Sequence, residues 1–172
     1  RAISVFLYSL EVKPLWKVEH EDDYAPWGGL KEEATVKEEA VSDPSLFYME
    51  SQLEDFLIEN WDRTELGQKY DLIEEEGELK SQQYRTDIGR IDILVQDKKT
   101  KQYVVIELKK GQTSDDTVGQ IARYMGWLEE HKTNGKPTKG VIIAGQYDER
   151  LYYALRKLAD AEVYLYQVDF RL

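Results

Sequence analysis

Cysteine is absent from the 172 residues, which excludes disulfides and thiolate metal sites. Histidine is nearly absent too: His20 and His131 are the only two, so a histidine-rich zinc site is excluded and any metal has to be held by oxygen ligands. No run approaches the roughly 20 apolar residues that a membrane-spanning helix needs, and no internal repeat or low-complexity tract is found. No signal peptide is read either, and the chain opens on Arg1 rather than methionine, which reads as a fragment or a processed chain. Together these absences point to a cytoplasmic protein with no membrane partner. What is present suits a soluble fold with a real core, since 41% of residues are hydrophobic and 33% charged.

The formal net charge of −11 argues on its face against nucleic acid, because phosphate binding wants a basic surface. The charge is uneven, however. Residues 19–45 hold nine acids against two bases, which accounts for most of the excess. Basic residues gather further on, at Arg85, Arg90, Lys98, Lys99, Lys101, Lys109, Lys110 and Arg123, and together they can form a local basic face.

Two segments follow along the chain. Residues 1–45 combine a strand-like stretch, "ISVFLYSLEV", with an acidic extension that contains the loop signal "DDYAPWGGL". Residues 46–172 alternate helical and strand patterns. A helix is expected from Asp43–Pro44–Ser45 onward, because Leu46, Met49, Leu53, Phe56, Leu57 and Trp61 recur at helical spacing. "KYDLIEE" and "LKSQQYRT" read as short strands around a turn at Gly77. "GRIDILVQDKKTKQYVVIELKKG" reads as a hairpin, and Asp115 to about His131 as an amphipathic helix. "TKGVIIAG" is a buried strand, "DERLYYALRKLA" a helix and "EVYLYQVDF" a last strand. Antiparallel strands first and crossover helices later predict an α/β fold, a mixed β-sheet flanked by helices.

The long hairpin carries an oddity, one acid inside each strand-like run. A turn centred between Lys99 and Thr100 sets Asp92 opposite Glu107, with Cβ atoms about 5 Å apart. Period-two alternation then sends Ile91, Ile93, Val95, Val104, Ile106 and Leu108 to one face. Asp92, Glu107, Lys109 and Arg90 go to the other, together with Leu94 and Val105. Two carboxylates at that distance repel by about 3 kcal/mol at an effective dielectric near 20. Protonation of one acid, neutralisation by Lys109 or capture of a divalent cation would each relieve this. Two hard oxygen ligands meeting at one point suit Mg²⁺ best, and a cation beside a lysine suits phosphodiester hydrolysis. A satisfied ion-pair cluster is the competing reading.

An acid on one strand followed by Glu-x-Lys on the next resembles the PD-(D/E)XK nuclease superfamily. Here the pattern is "RID", fourteen intervening residues and "ELK", with Ile91 in place of the proline. "TDIGRIDILVQD", "YVVIELKKGQTSDDTVGQIARYMGW" and "KGVIIAG" resemble more specifically the nuclease domain of NucS/EndoMS-type DNA endonucleases, over Leu46 to Leu172. The resemblance implies a restriction-endonuclease-like nuclease core and metal-dependent cleavage of DNA, of mismatched or branched form, with Mg²⁺ or Mn²⁺ as cofactor. It further implies that Asp92, Glu107 and the helical acid Glu54 ligate the metal. Lys109 becomes the catalytic lysine, and Gln120 completes the site. Arg90, Lys110, Arg123 and Tyr124 become candidates for contact with nucleic acid.

Blander roles compete residue by residue: a surface acid for Glu54, a cap for Gln120, core wall for Tyr124 and Trp127, neutralisation of Asp92 for Arg90, and a favourable helix-end charge for His131. Enzymes of this type carry an N-terminal β-rich domain that dimerises. The implied homodimer would here have only 45 preceding residues to draw on. A catalytically inactive nucleic-acid-binding or protein-interaction module on the same fold is the alternative function, with the acidic stretch as a mimic of nucleic acid.

Overall fold

The computed structural model describes residues 2–10, 50–112, 115–146 and 149–171. The acidic extension at 19–45, the expected helix start at Asp43 and the side chain of Lys110 lie outside the described residues.

Among the described residues the strands are β1 (Ala2–Leu10), β2 (Tyr70–Leu72), β3 (Glu74–Glu75), β4 (Glu78–Leu79), β5 (Gln82–Thr86), β6 (Gly89–Asp97), β7 (Tyr103–Gln112), β8 (Lys139–Gln146) and β9 (Ala161–Arg171). The helices are α1 (Glu50–Glu59), α2 (Glu65–Lys69), α3 (Asp115–His131) and α4 (Glu149–Leu155). Seven strands form one sheet in the order β1-β9-β8-β7-β6-β2, with β5 also on the outer edge of β6. The β6–β7 and β1–β9 pairs are antiparallel, while β7–β8 and β8–β9 are parallel and joined through α3 and α4. This is the expected mixed sheet with helices on both faces.

Alternation along the strands sorts the core into two layers. Ile93, Val95, Val104, Ile106, Leu108, Val141 and Ile143 pack with Leu53 and Leu57 of α1, and with Trp61, Leu66 and Tyr70. Leu94, Val105, Ile142 and Ala144 pack on the other side with Ile121, Tyr124, Met125 and Leu128 of α3, and with Leu151 and Leu155 of α4. No helix among the described residues is long and apolar enough to cross a membrane.

The turn chemistry fixes the register. Asp97 Oδ1 accepts the backbone N–H groups of Lys99 and Thr100 at 2.8 and 2.9 Å, which closes the "DKKTK" turn. The ladder then runs Gln96↔Tyr103, Val95↔Val104, Leu94↔Val105 and Ile93↔Ile106, in the predicted register. Glu76 and Gly77, both at positive φ (55° and 79°), make the tight turn between β3 and β4 expected at Gly77.

Three expectations need correction. Trp61 does not continue α1. It lies in a 3₁₀ turn, Trp61–Arg63, where its indole N–H donates to the Tyr70 carbonyl at 3.0 Å. The short helix α2 follows, capped by Thr64, whose hydroxyl accepts from Gly67 N at 3.0 Å and donates to Trp61 O at 2.7 Å. A Cβ on Gly67 would overlap the Trp61 backbone carbonyl, and backbone cannot move aside as a side-chain tip can. Gly67→Ala is therefore expected to cost about 2 kcal/mol, read as a melting midpoint lower by about 4–8 °C.

The second correction concerns Ile91, which packs with the α3 layer and not with Ile93 and Val95. The cause is a break in the alternation at Asp92. The β5–β6 ladder pairs Gln82↔Ile93 and Tyr84↔Ile91 but skips Gln83, which has φ of 49°. The third concerns the basic residues, which form two groups rather than one face. Lys98, Lys99 and Lys101 occupy the turn at the far end of β6, about 25 Å along the strand from Arg90, and Lys98 and Lys101 pair there with Asp71.

Candidate active site

The β6–β7 ladder ends at Ile93↔Ile106, and the site lies where the two strands part. Continued one step, the register sets Asp92 across from Glu107. No backbone pair forms there. Instead Asp92 Oδ2 accepts the Leu108 backbone N–H at 2.9 Å, so a side chain takes the place of a strand carbonyl and holds its own carboxylate against β7. The expected meeting of Asp92 and Glu107 is thus present, and Glu107 feels the Asp92 charge.

Glu107 is fully buried; its polar neighbour is Asp92, through main chain and side chain, and no hydrogen bond of good geometry from a described residue closes on either carboxylate oxygen. Such a group costs several kcal/mol as an anion. Burial, followed by the Asp92 charge, pushes its pKa up to about 8, and the Lys109 ammonium pulls the other way. Lys109 follows two positions later on β7, half-buried, beside Ala144 of β8. The β7–β8 register shifts just beyond it, between Lys109 and Gln112, so regular strand geometry ends at the lysine.

α1 delivers Glu54 from one side of the sheet. Leu53 and Leu57 anchor that helix in the core, and Glu54 is itself 3% exposed. It is therefore not a solvated surface acid. Burial raises its pKa, while hydrogen bonds from Gln83 and Gln82 oppose the shift. Gln83 Nε2 donates to Glu54 Oε2 at 2.7 Å and makes a longer contact of 3.5 Å with Asp92 Oδ1. The amide thus lies between the two acids. The sequence gives no sign of this residue's role, because glutamine is not a residue type that announces a positive φ.

α3 closes the site from the other side. Gln120 and Tyr124, one helical turn apart, are hydrogen-bonded to each other, and the Tyr124 phenol is also bonded to the Arg90 backbone. Burial and then the Glu107 charge raise the pKa of that phenol. Tyr124 is 7% exposed, so it forms the wall of the site and offers no open ring face to a base. Gly89 makes the wall possible: its φ is 141°, and a Cβ there would come within 2.5 Å of the Tyr124 hydroxyl. Arg90 and Arg123 are exposed at this end of the sheet. Trp127 is bonded through its indole N–H to Asp87 and stacked on His131 at 4.8 Å, so both belong to the framework of α3.

The donors assembled here are all hard oxygens. A buried Glu107 with a second carboxyl, Asp92, beside it fits a divalent cation of the Mg²⁺ or Mn²⁺ kind, which takes one or two carboxylates and keeps several waters. Among the described residues, no three acids or histidines are grouped closely enough to form an all-protein cage.

Comparison with known proteins places the fold and the family. Residues 49–163 match the family model for the endonuclease NucS C-terminal domain. The fold is similar to the crystal structure of a repair endonuclease from Pyrococcus abyssi, with 22% identity and a TM-score of 0.52, over 67% of this chain and 45% of that one. It is also similar to an EndoMS–dsDNA complex, with 19% identity and a TM-score of 0.54, over 67% of this chain and 43% of that one. The chain therefore spans less than half the length of either solved relative. No curated protein matches the sequence significantly. With the match extending through α1, the whole β6–β7 hairpin and α3, the chain belongs to the NucS C-terminal domain family.

Proposed function

We propose that this chain is a metal-dependent DNA endonuclease that hydrolyses phosphodiester bonds with Mg²⁺ or Mn²⁺. The observation that carries the reading is Glu107, a fully buried carboxyl with no hydrogen bond of good geometry closing on either oxygen, whose neighbours are a second carboxyl, Asp92, and the Lys109 ammonium. A purely structural carboxyl at that depth would have hydrogen-bond donors around it. Asp92 and Glu107 would hold the cation, with Glu54 as the further carboxylate. When bound, such a cation polarises a phosphate oxygen and lowers the pKa of attached water.

The chain's own residues do the rest. Lys109 places a positive charge where the attacked phosphate gathers negative charge. The Leu108 N–H fixes the Asp92 carboxylate, and Tyr124 fixes Gln120, which lines the site from α3. Arg90 and Arg123 supply exposed positive charge for backbone phosphates, with Lys110 as a third candidate. Because relatives include a repair endonuclease and an EndoMS–dsDNA complex, we extend the proposal to double-stranded DNA in a repair setting; mismatched or branched DNA as substrate and a homodimer as the working form follow from the family resemblance.

A nicking assay on plasmid and on branched or mismatched duplexes, with Mg²⁺, Mn²⁺ or EDTA, tests the reading. Cation-dependent cleavage is expected, and absence of cleavage with either metal overturns it. One observation favours a second reading, DNA binding without turnover: the described acids do not by themselves complete a three-ligand cage. Salt-sensitive binding with no cleavage would select it.

A further inference from the structure

Gln83 has three features that the sheet alone does not require. Its φ of 49° is one that non-glycine residues rarely adopt. Its rung in the β5–β6 ladder is missing, although the rungs at Gln82 and Tyr84 are made. Its side chain, and that of its neighbour, both turn to the same helix: Gln82 Nε2 donates to Asp55 Oδ1 at 2.6 Å and Gln83 Nε2 to Glu54 Oε2 at 2.7 Å. Consecutive strand residues ordinarily face opposite ways, so the positive φ is what lets both amides reach α1. Backbone strain of this kind persists only where surrounding contacts hold it, and such positions cluster at functional sites.

The second contact gives the strain a purpose. The same Gln83 nitrogen lies 3.5 Å from Asp92 Oδ1, so one N–H₂ group faces two carboxylates from two different elements. We propose that Gln83 is a positioning residue whose amide stands between Glu54 and Asp92 in the cation-free protein, as a neutral substitute for the divalent ion, and is displaced when the ion binds. The inference rests on the cation reading above but not on catalysis. There, between Glu54 and Asp92, the amide offsets repulsion between the acids and keeps α1 docked beside β5. It also competes with the ion for place, because its N–H₂ group stands between Glu54 Oε2 and Asp92 Oδ1, where a cation bridging those two oxygens would sit. Gln83 is exposed at the surface, so it can swing out without disturbing the core.

Calorimetric titration of Mn²⁺ into the whole chain without DNA, paired with thermal melts in EDTA and in saturating Mn²⁺, tests this. Gln83→Ala is expected to bind Mn²⁺ about tenfold more tightly, to melt lower in EDTA, and to show a larger Mn²⁺-induced rise in melting midpoint. Gln83→Gly removes the amide while accepting the positive φ, so the same tightening is expected without added backbone strain. A lower melting point with an unchanged Kd in both variants means a structural role only and overturns the inference. Weaker Mn²⁺ binding in Gln83→Gly overturns it as well. Wild-type protein that binds no Mn²⁺ overturns the cation reading together with this one, whereas equal binding by wild type and both variants overturns this one alone.

Discussion

In EDTA, the protein is expected to lose stability steadily as pH rises from about 5 to about 8, and Glu107→Gln is expected to flatten that profile. The folded pKa of Glu107 is pushed to about 8 from an ordinary 4.5. Between those values the folded state keeps a proton that the unfolded chain releases, so stability falls with rising pH. Below about pH 4.5 both states are protonated and no penalty exists. Above about pH 8 both are ionised and the penalty is complete. The slope inside the window approaches 1.4 kcal/mol per pH unit, which sums to a few kcal/mol, a large share of a typical domain's 5–15 kcal/mol. Glu54, also raised by burial, adds to the same trend. Urea midpoints measured at several pH values read the effect. Mn²⁺ is expected to reduce the slope, because a bound cation replaces the proton as partner to the carboxyl. A wild-type profile that is flat across this window would mean that burial does not hold Glu107 protonated in the folded protein.

Lys109→Ala is expected to lower DNA cleavage by about a thousandfold while the protein still folds and still binds Mn²⁺. Removing one preorganised positive group from a water-poor site costs about 3–4 kcal/mol of transition-state stabilisation. Lys109 qualifies because it is half-buried and close enough to Glu107 to act on its ionisation. Its stem lies on a central strand that keeps its pairing with β8, so truncation leaves the sheet intact. Single-turnover cleavage, with calorimetry as the control for cation binding, separates loss of chemistry from loss of the ion. Cleavage that continues at the wild-type rate removes Lys109 from the reaction and the proposed chemistry with it.

Much of this site was legible from spacing. The "DKKTK" turn carries its own geometry, since Asp97 caps the two N–H groups that follow it. The register of Asp92 against Glu107 therefore follows from the turn before any tertiary contact is known. The 3.6-residue stripe of Ile121, Met125 and Leu128 likewise marked α3 over its full length. Illegible were the features set by non-local demands. Nothing in "QQYRT" signals that Gln83 leaves strand geometry, so the shift of Ile91 into the α3 layer could not be foreseen. α2 spans five residues, too few for a periodic signal, and depends on a Thr64 cap and a Gly67 packed against Trp61. The burial of Glu54 depends on the sheet beneath it, which the sequence of α1 cannot reveal.

The bond between Asp92 Oδ2 and the Leu108 N–H decides how an inert form of the protein should be made. Alanine at position 92 would remove the negative charge and also leave a main-chain donor stranded beside the parting strands, a loss of about 1–3 kcal/mol unrelated to chemistry. Asparagine keeps an oxygen for that donor and discards the charge, at the lesser cost of turning an N–H₂ group toward Gln83, whose own contact there is the long one of 3.5 Å. Asp92→Asn is thus the substitution to choose when a silent protein is wanted for trapping uncut DNA, because its backbone seam stays closed.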